Sequence, residues 1–303
     1  MNIEQFFTPY TSSTTLPAKS VIVLAPHPDD EVFGCAGTLN QLQASGTDIH
    51  VLILTDGVLI HEWADQPAEI ATKKRHEKKL RRQKESIAAA AVLGYPLPQF
   101  LGFQDGQLLN EESLLPTLQK KIEDISPDLI LAPSIWEMHR DHRAVAQVAL
   151  KLLLKTPNSF QLAFYEIGVP LIPNYFVDIT LSTNKKNKAM ACFPSQLQDQ
   201  AYADQIRGLN LFRSYTLGPK VQSAEAFHLL NHETASAFNQ EHQPDIHTLA
   251  LLNAENVLRK SLPIQLLENR KLLKQAEQEI KNIKNTLSWR ITAPLRYVRK
   301  YFN

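Results

Sequence analysis

Two short stretches, His27-Pro28-Asp29-Asp30-Glu31 and His139-Arg140-Asp141-His142, gather residue types that bind divalent ions and move protons. In the first, an imidazole and a carboxylate stand three residues apart across a turn that begins a helix, with Pro28 near its first position. That spacing lets His27 and Asp30 converge on one cation. Asp29, next to a ligand, must point elsewhere and is free to act as a base. In the second stretch His142 can supply a third ligand. Two nitrogens and one oxygen with a fourth position left open is the pattern of a catalytic zinc site, where a structural site would be closed. Asp141 can accept a hydrogen bond from an imidazole and fix its orientation, which leaves His139 as a spare, protonatable histidine.

Each stretch also has a plainer reading. Asp29, Asp30 and Glu31 could serve a helix N-terminus through its free amides and dipole, and Asp141 could cap a helix flanked by two surface histidines. Position bears on the choice. Residues 20–25 (SVIVLA) run straight into the first stretch, and residues 129–132 (LILA), followed by Pro133, precede the second. Both read as short buried strands, as does VLILT at 51–55. Segments of helical character separate them: 37–44, ending at Ser45-Gly46; 69–93, stopped by Gly94; 112–125; and 142–154. Alternating strands and helices predict an α/β fold with a mostly parallel sheet and helices on both faces. Ligands bind such sheets at the carboxyl ends of the strands, so both stretches fall on one edge.

The chain has 303 residues, 44% hydrophobic and 21% charged, enough for one large domain or two small ones. A formal net charge of +1 gives no overall field to suggest a nucleic-acid partner. Two cysteines, Cys35 and Cys192, exclude a disulfide framework and a thiolate zinc cluster. The N-terminus lacks the basic residues and apolar run of a signal peptide. No apolar stretch approaches the roughly 20 residues of a membrane span, so a cytoplasmic protein is expected. Gly34-Cys35-Ala36-Gly37 lacks the first turn glycine of a dinucleotide loop. His228 and His232, spaced i, i+4, have no glutamate after His228 and read as ordinary helix residues. Residues 73–84 hold eight Lys/Arg, read as a solvated helix face paired with Glu69, Glu77 and Glu85. The other reading is that part of the run attracts a phosphate-bearing substrate.

With Pro26 to Glu31 after a strand and a later His-x-Asp-His, the sequence resembles the PIG-L/LmbE-like de-N-acetylases. Weaker likenesses are Arg82-x-x-Glu85 ahead of an alanine run, Asp105-Gly106 after Phe103, and Ser195-Gln196 after a Lys-rich helix; together they cover roughly residues 20–230. The resemblance implies a Rossmann-like fold, a zinc ion (iron(II) in some members) and hydrolysis of N-acetyl groups on sugars or their conjugates. It assigns metal binding to His27, Asp30 and His142, the general base to Asp29, and stabilisation or proton donation to His139. Arg82 and Asp105 would contact substrate. The residue types suit the chemistry: the metal polarises a water and the amide carbonyl, Asp29 takes the proton, and protonated His139 helps hold the oxyanion. An amidase acting on a thiol conjugate or secondary metabolite, and a scaffold with a vestigial metal site, are the rival readings.

The charge is uneven along the chain. Residues 264–303 carry nine Lys/Arg against three Asp/Glu, a local +6, leaving −5 for the other 263 residues. Leu266, Asn269, Leu273, Ala276, Ile280, Ile283 and Leu287 alternate spacings of three and four, a heptad seam that predicts a coiled coil and a homo-oligomer. Residues 288–303 (SWRITAPLRYVRKYFN) put Leu295, Val298 and Phe302 on one helical face, with four basic residues and no acid. That composition suits a helix lying on an anionic membrane surface, on its inner face for a cytoplasmic protein, or one docking on the protein's own body. It also resembles the S-W-R-x-T-x-P-L-R tails of bacterial surface-polysaccharide enzymes. The expected division is 1–260 for the deacetylase domain, 261–287 for the coiled-coil helix and 288–303 for the basic amphipathic tail.

Overall fold

SVIVLA is apolar at every position but the first, a run that only a strand covered on both faces can bury. In a computed structural model, which describes residues 10–241 and 267–282 apart from 158, 199 and 268, it is the pivot of an eight-stranded sheet. From the N-terminus the elements are β1 (Thr11–Ser13), β2 (Ser20–Ala25), α1 (Asp30–Ala44), β3 (Asp48–Leu59), α2 (Ala68–Leu93), β4 (Gln99–Asp105), α3 (Leu114–Ile125) and β5 (Leu129–Pro133). Then follow α4 (Arg140–Lys155), β6 (Gln161–Tyr165), β7 (Tyr175–Asp178), α5 (Thr183–Met190), α6 (Pro194–Leu197), α7 (Tyr202–Arg213), β8 (Ala224–Leu230) and α8 (His232–Glu241).

Alternate side chains of β2 serve two apolar cores. Val21, Val23 and Ala25 pack with residues of α1, α2 and α5 on one face, while Ile22 and Leu24 pack with α3, α4 and α8 on the other. The strand order is β1-β7-β8-β6-β5-β2-β3-β4. Every pairing is parallel except those of β8, which runs antiparallel to both β6 and β7. The chain winds from β2 through β3 to β4 toward one edge, then from β5 to β6 toward the other. Winding therefore reverses between β2 and β5, and the loops leaving their carboxyl ends open onto one crevice.

The sheet is mostly parallel, as expected, with β8 as its antiparallel strand. β7 and β8 both come from the region beyond residue 160. His228 lies in β8 rather than in a helix, and His232 opens α8. The His228 imidazole donates from Nδ1 to the Ile172 carbonyl, 2.7 Å away, so strand pairing has separated two residues whose spacing alone looked helical. α1 is longer than expected and begins at Asp30, two residues after Pro28. It bends at Cys35 (φ −138°, ψ 21°), and beside the bend Gly34 lies so close to the Tyr165 ring that a Cβ would collide with it.

The chain forms two compact units, Met1–His242 and Gln243–Asn303. In the second, residues 269–282 are helical, with Leu272, Leu273 and Ile280 exposed. The expected boundary near 260, the outer seam positions Leu266, Ile283 and Leu287, and the basic tail 288–303 lie outside the described residues. No described helix is long and apolar enough to cross a membrane.

Candidate active site

The loop after β2 turns so tightly that the His27 N–H donates to Asp30 Oδ2 at 2.8 Å. Asp29 occupies the N-cap position of α1 with φ 136° and ψ −26°, a left-handed conformation that costs a non-glycine residue about 1–3 kcal/mol. Its backbone carbonyl takes the Val32 and Phe33 N–H groups, yet its carboxylate makes no capping hydrogen bond. The plainer reading, in which the acids serve the helix end, is therefore not what Asp29 does. Its Oδ2 instead accepts from Arg82 at 2.9 Å, and Arg82 also donates to the Pro28 carbonyl (2.8 Å) and the Gly57 carbonyl (2.9 Å).

The loop after β5 brings His142 opposite this turn. His27 Nδ1, Asp30 Oδ2 and His142 Nε2 form a near-equilateral triangle with sides of 3.1, 3.2 and 3.2 Å. Two imidazole nitrogens 3.2 Å apart, each facing the same carboxylate oxygen, form a donor set that a shared cation would satisfy. Bonds of about 2.0–2.1 Å to a tetrahedral zinc place neighbouring donors about 3.3–3.4 Å apart, so these three fit the ion with small adjustment. Other triples converge less tightly: His27, His139 and His142, and His27, Asp105 and Asp141, each have donor atoms within 4.8 Å of one another.

Protonation follows from this crowding. Burial alone would depress His27, but Asp105, Asp141 and Asp30 outweigh it and hold the imidazole well above its usual range. Burial likewise opposes protonation of His142, while Asp30 and Glu137 bring it up to about 9. Asp30, buried too, is held well below the ordinary carboxylate range by His142 and His27. Burial raises Asp29 to about 7 against the lowering influence of Arg82.

Burial, together with positive charge on the neighbouring His27 and His142 imidazoles, pushes His139 down to about 4. Standing at the N-cap of α4, it accepts the Asp141 N–H at Nδ1 (3.2 Å), which leaves its proton on Nε2. His139 can therefore donate a hydrogen bond without carrying charge. It is half-buried, whereas His27, Asp30 and His142 are buried.

Of three other sequence-derived positions, two take unexpected places. The Asp141 carboxylate turns toward the loop after β4, accepting from Gly106 N–H (2.6 Å) and Leu108 N–H (3.1 Å), with His27 Nε2 3.6 Å away. It holds that loop and also faces the His27 imidazole, the kind of partner expected for it. Asp105, expected to contact substrate, accepts from His27 Nε2 at 3.0 Å and is 6% exposed. Arg82, also expected at the substrate, is 5% exposed; its two terminal nitrogens donate to Asp29, Pro28 and Gly57, while its buried Nε makes no hydrogen bond among the described residues. The run of basic residues around it is not simply a solvated face. Arg75 donates to the Ile60 and Glu62 carbonyls and Lys78 pairs with Glu62 at 2.5 Å, so these two hold the loop after β3. Glu85, taken as a partner for lysines, accepts instead from Ser195 N–H and Oγ. Sequence reasoning passed over Glu137, whose carboxylate faces His142, and Tyr95, which donates to the buried Glu31. Their partners lie in other loops, and only the acid's place two residues before His139 hinted at the first.

Comparison with known proteins decides the family. The family description "PIG-L: GlcNAc-PI de-N-acetylase" matches residues 22–153, which include both donor loops. Diacetylchitobiose deacetylase of Thermococcus kodakarensis is 30% identical over 203 residues, covering 61% of this chain and 72% of that protein. The chain belongs to the PIG-L/LmbE-like de-N-acetylase family. A probable N-acetyl-α-D-glucosaminyl L-malate deacetylase of Bacillus anthracis is 28% identical over 193 residues, 62% of this chain and 82% of its own length. Among solved structures, N,N'-diacetylchitobiose deacetylase of Pyrococcus horikoshii superposes with a TM-score of 0.60 at 24% identity, covering 76% of this chain and 88% of that one. The PIG-L/LmbE-like fold thus accounts for the sheet and the two donor loops. In all three comparisons 24–39% of this chain stays outside the match.

Proposed function

We propose that the protein is a zinc-dependent N-deacetylase that removes an acetyl group from an amino sugar or sugar conjugate. The observation that carries this reading is the triangle of His27 Nδ1, Asp30 Oδ2 and His142 Nε2, with the Asp29 carboxylate beside it and outside it. These three residues would hold the ion, and iron(II) suits the same nitrogen and oxygen donors. When bound, the ion supplies Lewis acidity toward a water and an amide carbonyl.

The chain's own groups supply the rest. Asp29, brought up to about 7 by burial, sits where a carboxylate can take a proton near neutral pH. Arg82 holds that carboxylate in place and away from the helix amides. His139 donates from Nε2 toward negative charge developing on the acyl oxygen, aimed by the Asp141 N–H behind it. The departing amine takes its proton from Asp29 once Asp29 has been protonated. The deacetylase relatives, named for N-acetylated sugars, support the substrate class. A role in surface-polysaccharide biosynthesis at the cytoplasmic face of a membrane, with self-association through the C-terminal heptads, rests on the composition of residues 261–303.

Metal content of the purified protein and acetate release from a panel of N-acetylated mono- and disaccharides test the reading. We expect about one divalent ion per chain, acetate release lost with chelator and its return with zinc. Full activity in metal-stripped protein overturns it.

A further inference from the structure

Glu137 is 2% exposed, and its carboxylate has two distinct faces. Oε1 accepts three successive backbone amides from the loop after β6: Ile167 at 2.8 Å, Gly168 at 3.1 Å and Val169 at 3.3 Å. Oε2 takes a second, 3.2 Å contact from Gly168 N–H and faces His142 Nδ1 at 3.6 Å. That nitrogen is buried and makes no hydrogen bond among the described residues. The opposite ring nitrogen, Nε2, points at Asp30 and His27. An imidazole whose Nε2 lone pair serves a metal carries its proton on Nδ1, and that proton meets Glu137. His27 shows the same arrangement in mirror sense, with Nδ1 in the triangle and Nε2 on Asp105 at 3.0 Å.

We propose that Glu137 is a positioning residue that orients His142 for metal binding and ties it to the loop after β6. Gly168 favours this arrangement: a Cβ there would lie 3.2 Å from Glu137 Oε2, so the carboxylate would have to shift by a few tenths of an ångström. The loop itself is fixed elsewhere, because Glu166 accepts from Arg213 and from the Leu171 N–H, and Arg213 donates to the Leu171 carbonyl. The orientation of a metal ligand therefore depends on a segment about 30 residues away in sequence.

The proposal rests on the reading of His27, Asp30 and His142 as ligands, and the test separates the two. Glu137→Gln keeps a carbonyl oxygen for the three amides but presents an N–H₂ to the Nδ1 proton, donor against donor. Gly168→Ala keeps the charge and displaces it. Zinc affinity of the full chain is measured by competition with a chelating dye, alongside the melting temperature of the metal-free protein. Glu137→Gln should weaken zinc binding by about 10–100-fold, and Gly168→Ala by a smaller factor in the same direction. Metal-free melting should change little in Gly168→Ala. A purely structural Glu137 would lower the melting temperature and leave zinc affinity within about twofold of wild type, overturning the proposal. Should Glu137→Gln fail to fold, unchanged zinc affinity in folded Gly168→Ala overturns it equally. Wild-type protein that binds no zinc removes the ligand reading and this proposal together.

Discussion

The turn from β2 into α1 packs His27, Asp29 and Asp30 into four residues, whereas the loop after β5 and the first turn of α4 spread Glu137, His139, Asp141 and His142 over six. The short loop stores strain in its own backbone. Asp29 is one of three non-glycine residues at positive φ among those described, and the second loop contains none. The longer loop is unstrained but anchored on amides of other segments: Asp141 on Gly106 and Leu108, Glu137 on Ile167 to Val169. Strain sits at the residue read as the base, whose carboxylate must be kept from the helix end that would otherwise claim it. The second loop presents a ring whose orientation can be set from behind. Perturbing the first loop's anchor, Arg82, should therefore change proton transfer, while perturbing the second loop's anchors should change metal binding.

The largest expected effects break this division directly. Asp29→Asn keeps shape and hydrogen bonding to Arg82 but cannot take a proton, so kcat should fall by roughly two to four orders of magnitude with the metal retained. Asp30→Asn and His142→Ala remove a corner of the triangle and should instead lose metal, seen as sub-stoichiometric zinc after dialysis. Loss of zinc in Asp29→Asn with retention in Asp30→Asn would reverse the assigned roles.

The meeting of His27, Asp30 and His142 was legible because β2 and β5 announce themselves as apolar runs, and because parallel strands put their following loops on one edge. β8 was not, since an antiparallel partner beyond residue 160 leaves no mark in the periodicity of AEAFHLL. Arg82 was visible as a residue but not as a buried anchor: eight cations in twelve positions look like a wet face, and only the α2 packing shows which side turns inward. Glu137 was hidden for a similar reason, its amide partners lying at 167–169. What depends on residue type and local spacing could be read from the sequence. What depends on which loops face each other could not.

A smaller effect sharpens the role of Arg82. Burial raises Asp29 to about 7, and Arg82 opposes that rise. A base works ionised, so kcat/KM should decline as pH falls through the Asp29 value, and a bound cation places that limb below about 7. Arg82→Met removes a lowering charge and should move the limb to higher pH, reducing kcat/KM at pH 7 by roughly tenfold. Arg82→Lys keeps the charge but cannot reach three oxygens at once, so the limb should stay while stability declines. Superimposable pH profiles for wild type and Arg82→Met would show that Arg82 only supports the backbone.

The smallest expected catalytic effect concerns residues 261–303, and it asks whether the two-loop comparison is complete within the first compact unit. All the groups invoked above lie between His27 and Arg213, inside Met1–His242. The helix at 269–282 exposes Leu272, Leu273 and Ile280 and supplies none of them. A seam of apolar residues at alternating spacings of three and four is used most simply on another helix of the same kind, and Asn269 on the seam would limit the strength of a short coiled coil. The four basic residues of 288–303, with no acid among them, suit an anionic surface. Deleting residues 261–303 should therefore leave zinc affinity and acetate release from a soluble substrate within about twofold of the full chain, surface changes away from a site being small. The oligomer mass measured by light scattering should fall, and salt-sensitive binding to vesicles containing anionic lipid should disappear. Full-length protein that ignores such vesicles at low salt removes the membrane part of the reading. A truncated protein that loses zinc would mean that a donor loop is held from outside the first unit, and the contrast between the two loops would then need a third participant.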